Sequence, residues 1–81
     1  MGIKLRLNSV EDVKEFVSIV SRFESDMDLS THDRRGTVDA RSIMGIFSLD
    51  LSKDLILFIY NNTERQDIEA ALVKFTERAV A

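Results

Sequence analysis

The chain has 81 residues, of which 44% are hydrophobic and 31% charged, with a net charge of −3 and no cysteine. This balance predicts one globular domain over residues 1–81, and the lack of cysteine excludes disulfides, thiolate metal sites and a cysteine nucleophile. The acidic charge and the scattered basic residues give no reason to expect nucleic acid, and the longest apolar run, residues 55–60, is too short to span a bilayer. We therefore expect a cytoplasmic protein with no membrane partner.

The first predicted elements are a strand and an amphipathic helix. Residues 3–7 alternate apolar and basic side chains, as in a strand with one buried face. Ser9 and Asp12 then have the spacing of a capping box, and Glu11 adds negative charge in the first turn, where the helix dipole favours it. A single apolar face predicts a helix over residues 10–23. Its members are Val10, Val13, Phe16, Val17, Val20 and Phe23.

A β-hairpin is predicted next. Met27 and Leu29 alternate with polar residues as in a second strand, and residues 37–39 form the returning strand. The turn between them covers residues 32–36, in which Gly36 can adopt a positive φ. A solvated polar face explains the nearby acidic residues better than a metal site does. These residues are Asp26, Asp28 and Asp39. We expect neither a metal nor a cofactor, since no catalytic triad, phosphate loop or paired-acid cleft is visible.

Residues 40–49 are predicted to contain a short helix that begins at Ser42. At 100° per residue, its apolar positions fall into two groups on different faces. One group is Gly45, Ile46 and Leu49, and the other is Ile43, Met44 and Phe47. Only one group can lie on a sheet, so the other is exposed. Three adjacent exposed apolar side chains indicate a docking surface for a protein partner.

The last elements are a strand and a helix. Residues 55–60 are continuously apolar, as in a strand that is buried on both faces or central in a sheet. Residues 61–63 break this strand, and one apolar stripe predicts a final helix. The stripe is Ile68, Ala71, Leu72, Phe75 and Ala79. The simplest arrangement is an α+β fold whose antiparallel-rich sheet has helices on one face and polar residues on the other. The polar residues are Lys4, Arg6, Asp26 and Asp28.

Residues 21–26 and 38–49 resemble HPr, the phosphocarrier family of the bacterial sugar phosphotransferase system. The most specific part is the block Ser42, Ile43, Met44, Gly45, with Ser48 and Leu49 following it. The resemblance extends over essentially the whole chain. It implies a βαββαβα open-faced sandwich, with a four-stranded, mainly antiparallel sheet and three helices on one face.

Members of that family carry phosphate on a histidine at the start of the first helix, in the motif Gly-x-His-Ala-Arg-Pro. The motif falls on residues 7–12 of this chain, where Ser9 stands in place of the histidine and Glu11 in place of the arginine. A serine phosphate is a stable ester and a poor relay, and a carboxylate repels phosphate where a guanidinium would bind it. The resemblance therefore implies that the phosphocarrier site has been lost.

Ser42 matches the family's second phosphorylatable position, although a plain N-cap worth ~1 kcal/mol also explains this serine. Ile43, Met44 and Phe47 match the family's protein-docking surface. The preferred hypothesis is a non-enzymatic adaptor or regulator that docks proteins through the surface of residues 42–49. It is closer in kind to the catabolite-repression paralogue of HPr than to a sugar-transport phosphocarrier.

Two alternatives stay open. The chain could be a phosphotransferase component that still carries phosphate on an unexpected acceptor such as His32, its only histidine. The place of His32 in a turn, away from any helix N-terminus, favours a solvated residue instead. The second alternative is a structural module that self-associates through the apolar patch, and the oligomeric state is left open.

Overall fold

The fold is built on a four-stranded antiparallel sheet with the strand order β1-β4-β2-β3. The structure is a computed structural model and describes residues 2–79. The predicted domain limits, residues 1 and 81, lie outside that range. The strands are β1 (Gly2–Leu5), β2 (Met27–Thr31), β3 (Thr37–Asp39) and β4 (Leu55–Ile59). The helices are α1 (Val10–Val20), α2 (Ile43–Phe47), α3 (Arg65–Ala71) and α4 (Val73–Thr76).

Strand β4 occupies the interior of the sheet, since it pairs with β1 on one side and β2 on the other. Leu55, Leu57 and Ile59 are buried and point toward the helices, whereas Ile56 and Phe58 are half-buried on the opposite face. The sequence left open whether residues 55–60 form a strand that is buried on both faces or one that is central in the sheet. The second interpretation is correct. Burial alternates along β4 because only one face of the sheet is covered.

The core forms one cluster between the sheet and the helices. The Phe16 ring of α1 meets the Phe75 ring of α4 edge to face, with the ring centroids 6.3 Å apart and the planes at 76°. Such pairs add to the stabilisation that burial alone provides. The α+β class and the element order are therefore as predicted. Within residues 2–79, no helix is long and apolar enough to span a membrane.

Helix α1 differs from its prediction in length and in one apolar position. It ends at Val20, and Phe23 lies half-buried in the following loop. Val10 is exposed and Ile19 is buried in its place. At 100° per residue, Val10 lies about 120° around the helix from the fully buried Phe16, but Ile19 lies only about 60° away. Val10 therefore faces away from the core.

The predicted final helix is divided into α3 and α4 at Leu72. The Leu72 amide donates to the carbonyls of both Ile68 and Glu69, at 3.1 and 3.2 Å. The Phe75 amide then donates to the Leu72 carbonyl, three residues back, at 2.9 Å. These i−3 bonds tighten the helix for one turn. Three members of the predicted stripe, Ile68, Leu72 and Phe75, are fully buried. Ala71 is half-buried, and Ala79 is half-buried beyond the end of α4.

The hairpin turn and the open sheet face also differ from expectation. Arg34 adopts the positive φ (63°), and no described glycine does. Gly36 instead packs closely, since a Cβ there would lie 2.9 Å from Leu49 Cδ2. The open face is not wholly polar, because Ile56 and Phe58 lie on it. The guanidinium of Arg34 covers the Phe58 ring at 4.9 Å from the centroid, a favourable cation–π geometry.

We expect Phe75→Ala to lower the free energy of unfolding by about 3–5 kcal/mol, because it removes a fully buried ring and leaves a cavity against Phe16. Urea unfolding followed by circular dichroism measures the change. Val73→Ala on the same helix removes a half-exposed side chain and should cost no more than about 0.5 kcal/mol. Equal losses in the two variants would contradict this account of the core.

Candidate functional site

Helix α2 begins at Ser42, as the sequence predicts. Ser42 has extended backbone angles (φ −91°, ψ 101°), and its Oγ accepts the amide hydrogen of Gly45 at 3.1 Å. This is the N-cap geometry that satisfies one of the free amides of a first helical turn. The helix ends at Ser48, so it contains five residues, Ile43–Phe47. A helix this short has little more than one turn with which to bury apolar side chains.

The two faces of α2 have the predicted exposure. Ile46 is fully buried, and Leu49 just beyond the helix is 8% exposed. The other three apolar side chains reach the surface, and we call them the α2 patch. They are Ile43 (39% exposed), Met44 (83%) and Phe47 (41%). An adjacent group of this kind is unusual on the surface of a small protein and is typical of a contact surface.

Gly45 allows α2 to approach β3 closely. A Cβ at this position would lie 2.9 Å from Ser42 Oγ and 3.1 Å from Val38 Cβ. The cap bond to Ser42 and the contact with Val38 of β3 therefore both depend on the missing side chain. The position of the α2 patch on the surface is set by this close contact.

A polar cluster that the sequence analysis missed holds the loop between α1 and β2 next to the start of α2. Arg41 donates from one guanidinium nitrogen to the carbonyls of Phe23 and Ser25, at 2.6 and 2.8 Å. Glu64, at the start of α3, accepts the Ser25 hydroxyl at 2.5 Å and the Ser25 amide at 2.8 Å. The Ser25 hydroxyl and the backbone amides of Ser25 and Glu24 hold the pKa of Glu64 below its ordinary value.

The N-terminus of α1 forms the predicted cap with one difference. Ser9 Oγ accepts the Asp12 amide hydrogen at 3.1 Å. The Asp12 carboxylate accepts the amide hydrogen of Asn8, at 2.8 Å, rather than that of Ser9 itself. Glu11 lies exposed in the same first turn. Ser9 and Glu11, the two positions singled out from the sequence, therefore lie together at the start of α1.

The Asp12 carboxylate also receives a hydrogen bond from Arg78 near the end of the chain, at 2.5 Å. Burial raises the pKa of Asp12, but the Asn8 amide, the Arg78 guanidinium and the charge of Lys74 outweigh it, so the pKa lies below its ordinary value. A second ion pair, Lys74 to Glu15 at 2.7 Å, joins α4 to α1. No pattern in the sequence marks Arg78 as the partner of a residue 66 positions away.

His32 lies exposed in the β2–β3 turn. It lines an open groove of about 390 Å³ between this turn and the α2–β4 connection, together with Asp33, Arg35 and Lys53. The Thr31 hydroxyl and the Arg35 amide hold the Asp33 carboxylate and lower its pKa. In the described part of the chain, no group of three histidine or acidic side chains is placed to hold a metal ion.

The predicted acidic cluster on the open sheet face is only partly formed. Asp28 and Asp39 face each other across the β2–β3 pair. The Asp28 carboxylate accepts the hydroxyl hydrogen of Tyr60 at 2.9 Å, and this bond raises the pKa of Tyr60. Asp26 lies before β2 and is exposed.

Comparison with known proteins finds similarity over most of the chain. The family described as "PTS HPr component phosphorylation site" matches residues 12–78. The structure of HPr-C-His from Thermoanaerobacter tengcongensis is 28% identical, with a TM-score of 0.69 over 95% of this chain and 86% of that chain.

The likeness to Crh, the Bacillus subtilis catabolite repression containing protein, concerns the fold. It has 24% identity and a TM-score of 0.66, over 95% of this chain and 87% of that one, and that structure is described as a domain-swapped dimer. No curated protein sequence matches the chain significantly.

We expect Asp12→Asn to lower the free energy of unfolding by about 1–2 kcal/mol near neutral pH, because the amide loses the charged hydrogen bond to Arg78. The lowered pKa of Asp12 determines how this stabilisation depends on pH. The stabilisation is complete above the ordinary pKa of aspartate and is lost as the pH falls through the lowered folded-state value. The difference between wild type and variant should therefore vanish in acid.

Urea titrations over a pH series measure that difference. Glu11→Gln is the matched control, since it removes an exposed carboxylate from the same helical turn and should change the stability by no more than about 0.5 kcal/mol. A gap between wild type and Asp12→Asn that stays constant down to pH values below the folded pKa would refute the role of the ionised carboxylate.

Proposed function

The chain belongs to the PTS-HPr family, and we propose that it acts as one HPr-like domain over residues 1–81 that docks protein partners without relaying phosphate. The α2 patch is the observation that carries this proposal. Three apolar side chains lie exposed on a helix whose other face, at Ile46, is completely buried. Burying them against a partner would remove apolar surface from water, which is the main favourable term in protein association.

The N-terminus of α1 supports a role without histidine phosphotransfer. Ser9 occupies the N-cap, and its hydroxyl oxygen already accepts the Asp12 amide. The Asp12 carboxylate, held by Asn8 and Arg78, places negative charge at the helix end that would otherwise favour an incoming anion. With Glu11 in the same turn, phosphate would meet repulsion rather than a guanidinium. In our proposal, Ser9 and Glu11 stand at positions where the phosphocarrier residues have been lost.

Ser42 is the candidate regulatory position. Its hydroxyl lies at the start of α2, directly before Ile43 and Met44. A phosphate at this position would add nearly two negative charges at the edge of the α2 patch. Such a charge would favour a partner with basic residues around its own apolar contact and disfavour one with acidic residues. Phosphorylation would then select between partners rather than change the fold.

Phe47→Asp should abolish capture of protein partners from an extract of the native host, because a carboxylate would have to be buried at the contact. Affinity capture followed by mass spectrometry measures this. Val73→Asp is the matched control, since Val73 is also a half-exposed apolar residue on a helix and lies outside the α2 patch. Ser42→Asp should change which partners are captured.

If the Phe47→Asp protein folds normally and retains every partner of the wild type, the docking role is wrong. Light scattering on the wild-type protein gives a separate check on self-association. A stable dimer that Phe47→Asp converts to monomers would assign the patch to contact between copies of the chain instead.

The phosphotransfer alternative has one observation in its favour, since His32 lines a groove that also contains Arg35 and Lys53. We expect that incubation with phosphoenolpyruvate and the general phosphotransferase enzyme adds no phosphate, because neither His32 nor Ser9 has the environment of a phosphate relay. Intact mass spectrometry checks this. An acid-labile gain of one phosphate that is lost in His32→Ala would establish the alternative.

A further inference from the structure

Met44 is the most exposed large apolar side chain in residues 2–79, at 83%. It lies in the first turn of α2, next to Ile43 and one turn before Phe47. The two neighbours are about 40% exposed, so each is partly packed against the domain. Met44 therefore forms the most protruding part of the α2 patch.

Met44 also carries the more accessible of the two methionine sulfurs in residues 2–79. The sequence contains three methionines and no cysteine. Met27 is 2% exposed inside β2, and Met1 lies outside the described residues. The thioether is oxidised in proportion to its accessibility. Among the two methionines that the structure describes, oxidants thus reach the one in the contact surface and not the one in the core.

We propose that Met44 is a site of reversible oxidation by hydroperoxides, and that this oxidation removes the apolar centre of the α2 patch. The thioether sulfur attacks one peroxide oxygen. The O–O bond breaks, an S–O bond forms, and water or an alcohol leaves with the second oxygen. The sulfur loses two electrons and the peroxide gains them. The product, methionine sulfoxide, is polar and can be reduced by methionine sulfoxide reductases.

The effect on docking rests on the function proposed above. A sulfoxide oxygen would need hydrogen-bond partners that an apolar contact does not supply, so its burial is unfavourable. Because the side chain is not part of the core, the fold does not depend on its polarity. Oxidation should therefore weaken association through α2 and leave the domain folded.

Trypsin separates the relevant methionines, since residues 23–34 contain Met27 and residues 42–53 contain Met44. We would treat the folded protein with dilute hydrogen peroxide, quench it, digest it and follow the added oxygen in each peptide by mass spectrometry. Met44 should be oxidised at least about 10-fold faster than Met27. In concentrated urea the two rates should converge, because the protection of Met27 depends on the fold. A mixture of the two reductases should reverse the change at Met44 in the folded protein.

Native hydrophobic-interaction chromatography gives a second readout that needs no partner. The oxidised protein should elute earlier than the untreated protein, and Met44→Leu should show no shift on the same treatment. Equal oxidation rates in the folded state, or an unchanged elution position after Met44 is fully oxidised, would overturn the proposal. Both results are independent of partner capture by Phe47→Asp, so a failure of the oxidation site and a failure of docking are distinguishable.

Discussion

The interior position of β4 is the constraint on which the rest of the molecule depends. Its alternate side chains Leu55, Leu57 and Ile59 define the one covered face of the sheet. All four helices must bury their apolar residues against that face and form one cluster with it. Helix α1 and the α3–α4 pair are longer than α2, so α2 buries only one turn against the sheet. The remaining apolar side chains of α2 stay at the surface. The exposure of these side chains is thus a direct result of how the sheet is covered.

The N-terminus of α1 carries its own negative charge, on the carboxylates of Glu11 and Asp12. A helix N-terminus stabilises negative charge, and in this chain the Asp12 carboxylate supplies that charge from within. Arg78 compensates the carboxylate and joins the last helical segment to the first helix. The same contact therefore stabilises the fold and places a compensated carboxylate at the helix end.

Local and periodic signals were enough to predict most of the fold. The alternation before Asn8, the cap at Ser9 and the apolar run of β4 are properties of neighbouring residues, so the sequence contains them directly. The two faces of α2 followed from helical geometry alone. Contacts between residues distant in the sequence could not be predicted in this way. The bonds of Arg41 and Glu64 to the α1–β2 loop span 16 and 39 positions.

The local errors have physical reasons as well. Glycine is the usual residue for a positive φ, which led to the prediction at Gly36, but Arg34 takes that conformation and Gly36 packs close to Leu49. A continuous periodic stripe predicted one final helix, because the tightened turn at Leu72 leaves the buried positions on the same side. The docking role of Ile43, Met44 and Phe47 is a proposal. Helical geometry predicts that these side chains are exposed, but it does not predict that a partner binds them.

Gly45 limits how this surface can be remodelled. Met44 beside it is 83% exposed, whereas Ile46 on its other side is fully buried, so the two neighbours tolerate exchange very differently. A Cβ at position 45 would press on the side chains of both Ser42 and Val38, so the cap bond and the contact with β3 would have to shift. Libraries that keep glycine at position 45 should therefore retain folded members in which only the exposed side chains of α2 differ.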